Sequence, residues 1–125
     1  MTPKESLYPA DWLHIAEKDF QRVEQLLNTN DAEAAGFYLQ QSVEKFLKAF
    51  LLSKGWKLER IHDLEALQYN RSLEKYRSAC QKITGFYSVG RYPYLIHTSL
   101  TAQDVRDALE EVKALIETVR ATLGK

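Results

Sequence analysis

Apolar residues recur at three- and four-residue steps along most of this chain, the spacing of an amphipathic α-helix. The first run is Trp12, Ile15, Ala16, Phe20, Val23 and Leu27; it opens near Pro9 and Asp11 and is stopped by Asn28, Thr29 and Asn30. Asp31 then caps a second helix, because its short carboxylate can accept from an unpaired amide of the first turn. The core face of that helix is Phe37 or Tyr38, Leu39, Val43, Phe46, Leu47, Phe50 and Leu51, with Gly55 at its end, the residue best suited to a helix C-terminus.

A connector leads to IHDLEALQ, a third and short helix with Asp63 near its start. In RSLEKYRSACQKITGFY, Leu73, Tyr76, Cys80, Ile83 and Tyr87 step by 3, 4, 3 and 4, one helical stripe. Gly90 and Pro93 break that pattern. Thr101 and Asp104 resemble a capping box with Asp in place of Glu or Gln. The last helix follows with Val105, Leu109, Val112, Ile116, Val119 and Leu123. Trp56, Phe86, Tyr92 and Tyr94 are left near helix ends. No run alternates long enough to make a strand. The expectation is an all-α fold: an antiparallel up-down bundle of four long helices plus a short extra helix, one domain over residues 1–125. A second copy can pack against two of these helices, a dimer being the commonest oligomer.

Composition supports this picture. The 125 residues are 45% hydrophobic and 27% charged, with only 5 Gly and 3 Pro, as in ordinary globular proteins. No stretch approaches the roughly 20 apolar residues that cross a bilayer, and the opening MTPKESLYPADW lacks the apolar core of a signal peptide. Cys80 is the single cysteine, so neither an internal disulfide nor a cysteine-rich zinc site is available. A cytoplasmic protein without membrane association is expected.

Net charge is zero but unevenly spread. Residues 44–97 hold ten Lys/Arg against five Asp/Glu, a net +5, and the flanks hold the compensating −5. Such a middle can present a surface to an anionic partner, or it can be neutralised by the flanking helices; composition leaves both open.

Five residues separate Arg91 from His97 in GRYPYLIHTSLTAQD. Histidine moves protons near neutral pH, and arginine's fork matches phosphate oxygens. Together they can cleave a phosphodiester, one handling protons while the other stabilises the charged phosphorus centre. From spacing alone, the alternative is a solvent-facing connector. His62 and Asp63 are either a His–carboxylate pair or a helix entrance with its cap. His14 lies beside the apolar face of the first helix. The three His lack metal-ligand spacing and no HExxH is present, so no metal and no cofactor are expected. Cys80 falls in the apolar phase of its helix and reads as a buried structural thiol. Glu44 and Lys48 suit an exposed ion pair four residues apart; Lys45 and Lys48 facing an anion across a groove is the other reading.

AAGFYLQQSVEKFLKAFLLSKGW followed by IHDLEAL resembles the second and third helices of HEPN domains (higher eukaryotes and prokaryotes nucleotide-binding), through Gln40, Gln41, Glu44, Lys45, Leu47, Lys48, His62, Asp63 and Leu64. GRYPY resembles the connector before that family's last long helix. The resemblance runs from Trp12 to about Leu123 and implies a helical bundle that is usually dimeric. Many members resemble metal-independent ribonucleases carrying Arg, four to six residues, then His. Arg91 and His97 match that pattern, which implies catalysis in a cleft built by two subunits, RNA as substrate and a toxin–antitoxin setting. Substrate contacts are then expected from Tyr92, Tyr94, Lys45 and Lys48. The resemblance also allows a non-catalytic module that binds a nucleotide or substrate beside a small nucleotidyltransferase, its antitoxin or catalytic partner. Tyr92 and Pro93 stand where active members often carry Asn, Asp or His directly after the Arg. Ser99 stands where some toxin members have a Tyr modified by such a partner.

Overall fold

Pro9 sets where the first helix begins. Its missing N–H costs nothing in a first turn, where amides lack intrahelical acceptors, and α1 runs Pro9–Asn28 in the computed structural model, which describes residues 7–55, 71–91 and 100–124. Asn30 takes a positive φ of 63°. The Asn30 and Asp31 amides turn back to Leu27 and Leu26 carbonyls at 3.1 and 2.9 Å, a Schellman closure. Asp31 serves the next helix as well: its carboxylate accepts the Ala34 N–H at 3.2 Å and opens α2, Ala32–Ser53. One three-residue link therefore ends a helix, reverses the chain and starts another.

Gly55, at φ 87°, closes α2 as expected. The chain then has a single 3₁₀ segment among the described residues, η1 (Arg71–Tyr76), running into α3 (Arg77–Arg91). The last helix, α4 (Ala102–Thr122), starts on a complete capping box. Asp104 N–H donates to Thr101 Oγ1 at 3.1 Å, and Thr101 N–H donates back to Asp104 Oδ2 at 3.0 Å. These four helices, with no strand among the described residues, form an all-α bundle.

The core centres on α2, which packs on α1 most extensively and on α3 and α4 as well. Its Leu39, Val43, Phe46, Leu47, Phe50 and Leu51 are all buried; each such side chain contributes about 1.5–3 kcal/mol on leaving water. Phe46 meets the Phe20 ring edge-on at 6.4 Å between centroids. The Arg120 guanidinium lies 5.5 Å from the Phe20 ring and 5.7 Å from that of Phe46. Arg120 also grips both oxygens of Glu17, at 2.6 and 2.9 Å, tying α4 to α1. Among the described residues no helix is long and apolar enough to cross a membrane.

Three apolar positions differ from the sequence pattern. Ile15 is 40% exposed, while Leu13 is buried in its place; the face of α1 is fixed by Ala16, Val23 and Leu27 against α2, and Leu13 shares that arc. Phe86 is buried rather than left at a helix end, because α3 continues through Gly90 to Arg91. The stretch from Arg71 starts as 3₁₀, with Leu73 still buried. The short helix expected at IHDLEALQ, with His62 and Asp63, lies outside the described residues, as do Trp56 and Pro93; so does the side chain of Tyr87.

Candidate functional site

The candidate site hangs between two helix ends. Arg91 is the last residue of α3, and Thr101 caps α4. Tyr92, Tyr94, His97 and Ser99 lie between them, outside the described residues. What the structure does give is how the two flanks of this segment are held.

They converge on Gly36 of α2. A Cβ at this position would sit 2.9 Å from Leu100 Cδ2 and 3.2 and 3.3 Å from Phe86 Cβ and Cγ. Phe86 lies on α3 and Leu100 directly precedes the α4 cap. The absent side chain lets both sides approach the α2 backbone. Glycine inside a helix is destabilising relative to alanine, and such a residue in a strong helical run signals close packing; AEAAG was that signal here. Lys82, Phe86, Leu100, Asp104 and Asp107 line a hollow of about 270 Å³ beside this contact.

Lys45 and Lys48, expected to meet an anion, have partners within the fold. Lys45 Nζ lies 2.6 Å from Asp19 Oδ2. Lys48 Nζ sits 4.5 Å above the Trp12 ring, a cation–π contact. Asp19 is the more informative residue: its carboxylate is only 2% exposed, with Arg22 Nη1 at 2.7 Å on the other oxygen. A buried carboxylate requires charged partners, and Lys45 from α2 is one of them. Nothing in the periodicity of α1 marks Asp19, since an Asp in that phase reads as surface until the neighbouring helix is placed.

These pairs also bear on the basic middle. Lys45 is matched by Asp19, and Lys82 by Glu111 at 3.3 Å; both acids come from the flanks. Arg77 grips Glu74 with two nitrogens at 2.6 and 2.9 Å. That bond, before any Coulombic effect, holds the Glu74 carboxyl below its usual range.

Other polar groups on α2 form a row. Gln41 Nε2 donates to Gln40 Oε1, and Gln40 Nε2 to Glu44 Oε2, both at 2.7 Å. The Ser42 hydroxyl, fully buried, donates to the Ala16 carbonyl at 2.9 Å. Cys80 is buried, and desolvation pushes its thiol up to about 11, the opposite of an activated nucleophile. His14 is exposed and shares a hollow with Pro9, Leu13 and Leu123. That end of the bundle is opposite the start of α4, whose Arg106 lies by the Leu27 carbonyl. Among the described residues no group of three His, Cys, Asp or Glu is placed to hold a metal ion.

Comparison with known proteins adds two findings. A family model described as "HEPN domain" matches residues 9–122. Among solved structures, the crystal structure of TT1696 from Thermus thermophilus is similar, with a TM-score of 0.72 and 22% identity, covering 91% of this chain and 97% of that one. At that identity the likeness speaks for the fold. The search of curated proteins found no match.

Proposed function

The chain belongs to the HEPN domain family, and from that premise we propose that it is a metal-independent ribonuclease of toxin–antitoxin type, acting in the cytoplasm as a homodimer. The observation that carries this reading is the Arg91/His97 pair, with Arg91 ending one bundle helix and a capped helix resuming shortly after His97. A pair carried on the segment between two packed helices has what general acid–base chemistry needs, a proton carrier and a permanently charged cation.

In this reading His97 removes the proton from an RNA 2′-hydroxyl. The 2′-oxygen attacks phosphorus and the bond to the 5′-oxygen breaks. A second imidazolium, His97 of the partner subunit, protonates the leaving oxygen. The products are a 2′,3′-cyclic phosphate and a 5′-hydroxyl, and Arg91 stabilises the charge that builds on the phosphorane oxygens. Tyr92 and Tyr94 supply faces on which bases stack. Lys45 and Lys48, engaged with Asp19 and Trp12, contribute through the fold.

The test is cleavage of tRNA and mRNA in EDTA by the wild type, Arg91→Ala and His97→Ala proteins. Cleavage by the wild type alone, leaving cyclic-phosphate ends, is expected; intact cleavage by folded His97→Ala refutes the assignment. Tyr92 and Pro93 directly after Arg91 favour a second reading, a non-catalytic nucleotide- or substrate-binding bundle beside a small nucleotidyltransferase. A folded dimer that cleaves neither RNA but co-purifies with such an enzyme establishes that one instead.

A further inference from the structure

Among the described residues, the large apolar side chains that stay exposed are Leu7, Tyr8 and Ile15, all around the opening turns of α1. Ile15 shares a stripe with Asp11, Lys18 and Arg22. The steps between them are 4, 3 and 4, which keeps the four within about 60° of one another around the helix. All four are exposed, on the face of α1 turned away from the buried Leu13, Ala16 and Val23.

We propose that this stripe is a contact between two copies of the chain, their α1 helices packed antiparallel about a two-fold axis close to Ile15. The order of charge along the stripe selects that occupant. The acid, Asp11, lies one turn before Ile15, and a base, Lys18, one turn after it. An antiparallel copy sets each Asp11 against the Lys18 of the partner subunit, and the two-fold makes that pair twice. A parallel copy sets acid on acid and base on base. A surface of one sign, such as an RNA backbone, attracts only part of the stripe and repels the rest. Arg22 gives Nη1 to Asp19 at 2.7 Å and lies 5.4 Å from the Tyr38 ring, so it is held to its own chain and Lys18 supplies the cation. Ile15 meets its own copy at the axis.

This contact does not rest on the ribonuclease reading. Phe86, near the end of α3, packs on Gly36 in the opening turns of α2, at the end of the bundle where α1 finishes. Ile15 lies toward the other end. Antiparallel α1 helices send the two α3 ends apart, so a cleft built by two subunits uses a different surface.

The experiment measures assembled mass by analytical ultracentrifugation over a concentration series, for wild type, Ile15→Glu, Asp11→Lys, Lys18→Glu and Asp11→Lys/Lys18→Glu. Thermal melts show that each stays folded. Ile15→Glu is expected to halve the mass, from dimer to monomer, or from tetramer to dimer where the cleft contact also forms. Each single charge reversal weakens association roughly tenfold at low salt, and less at high salt, which screens exposed charges. The double reversal restores the wild-type affinity, because it only inverts the order of charge. Orientation is read by cross-linking with a short bis-maleimide, Cys80 being buried. Ile15→Cys joins to its own copy, whereas the two copies of Gln25→Cys lie roughly 30 Å apart and do not. A monomeric wild type, a mass unmoved by Ile15→Glu, or a double reversal as weak as the singles overturns the proposal. So does cross-linking of Gln25→Cys, the mark of a parallel pair. None of these readouts uses RNA, so a wild type that cleaves nothing fails the ribonuclease reading alone.

Discussion

Replacing Lys45 by methionine separates a structural role from an RNA-binding one. Lys45 Nζ is one of two cations on Asp19, whose carboxylate is 2% exposed. Methionine keeps most of the aliphatic stem and removes the charge. A buried carboxylate stripped of all partners costs about 3–5 kcal/mol. Here Arg22 remains on Oδ1 at 2.7 Å, so the loss is nearer one charged hydrogen bond, about 1.5–3 kcal/mol. Arg22 is half-exposed and compensates less than a buried partner does.

Urea unfolding at neutral pH reads the change directly. Lys45→Met is expected to lose about 2 kcal/mol with an unchanged urea slope. Asp19→Asn/Lys45→Met is expected to recover much of that loss, since removing both charges spares the stranded one. Lys48→Met is the control: its cation–π contact with Trp12 is worth about 0.5–1 kcal/mol at a partly exposed site. The reasoning fails if Lys45→Met unfolds at the wild-type urea concentration. It fails differently if stability holds while RNA affinity falls and the salt dependence of binding flattens by about one unit, for then Lys45 meets a phosphate.

The remaining predictions concern helix ends and burial. Thr101→Ala is expected to cost about 1 kcal/mol by leaving the Asp104 amide without its cap, read by thermal or urea unfolding. The Asp104 carboxyl is held below its usual value, first by the Thr101 backbone N–H and then by the Thr101 side chain. Its stabilisation is therefore full above the unfolded value near 3.8 and is lost as pH falls through the lower folded one. The stability difference between wild type and Asp104→Asn should shrink only in that acid range. The Cys80 thiol, raised from 9.0 to about 11, should resist Ellman's reagent in the folded protein and react on unfolding. Between those two values the unfolded thiol ionises and the folded one does not, so stability should fall as pH rises through that window.

Much of the bundle is written in local pattern. Asp31 caps α2, Gly55 closes it and the Thr101/Asp104 box opens α4, because caps depend on residues within one turn of each other. The core faces of α2 and α4 follow the apolar period for the same reason. Ile15 and Phe86 departed from it where a neighbouring helix decides: one helix turn offers several apolar residues, and only the position of α2 chooses among them.

The candidate site divides along the same line. Arg91 and His97 are a short-range motif, and their spacing is visible in the chain. Contacts between helices instead depend on residues far apart in sequence, such as Gly36 with Phe86 and Leu100, or Asp19 with Lys45 across 26 residues. Lysine charge illustrates the difference. Counting along the chain gave residues 44–97 a net +5, but Asp19 and Glu111, both from the flanks, pair with Lys45 and Lys82 in space. A nucleic-acid partner responds to charge that faces solvent, not to charge that is adjacent in sequence. Lys45 and Lys82 are engaged within the bundle, so the net charge counted along residues 44–97 does not measure the charge this region offers an anionic partner.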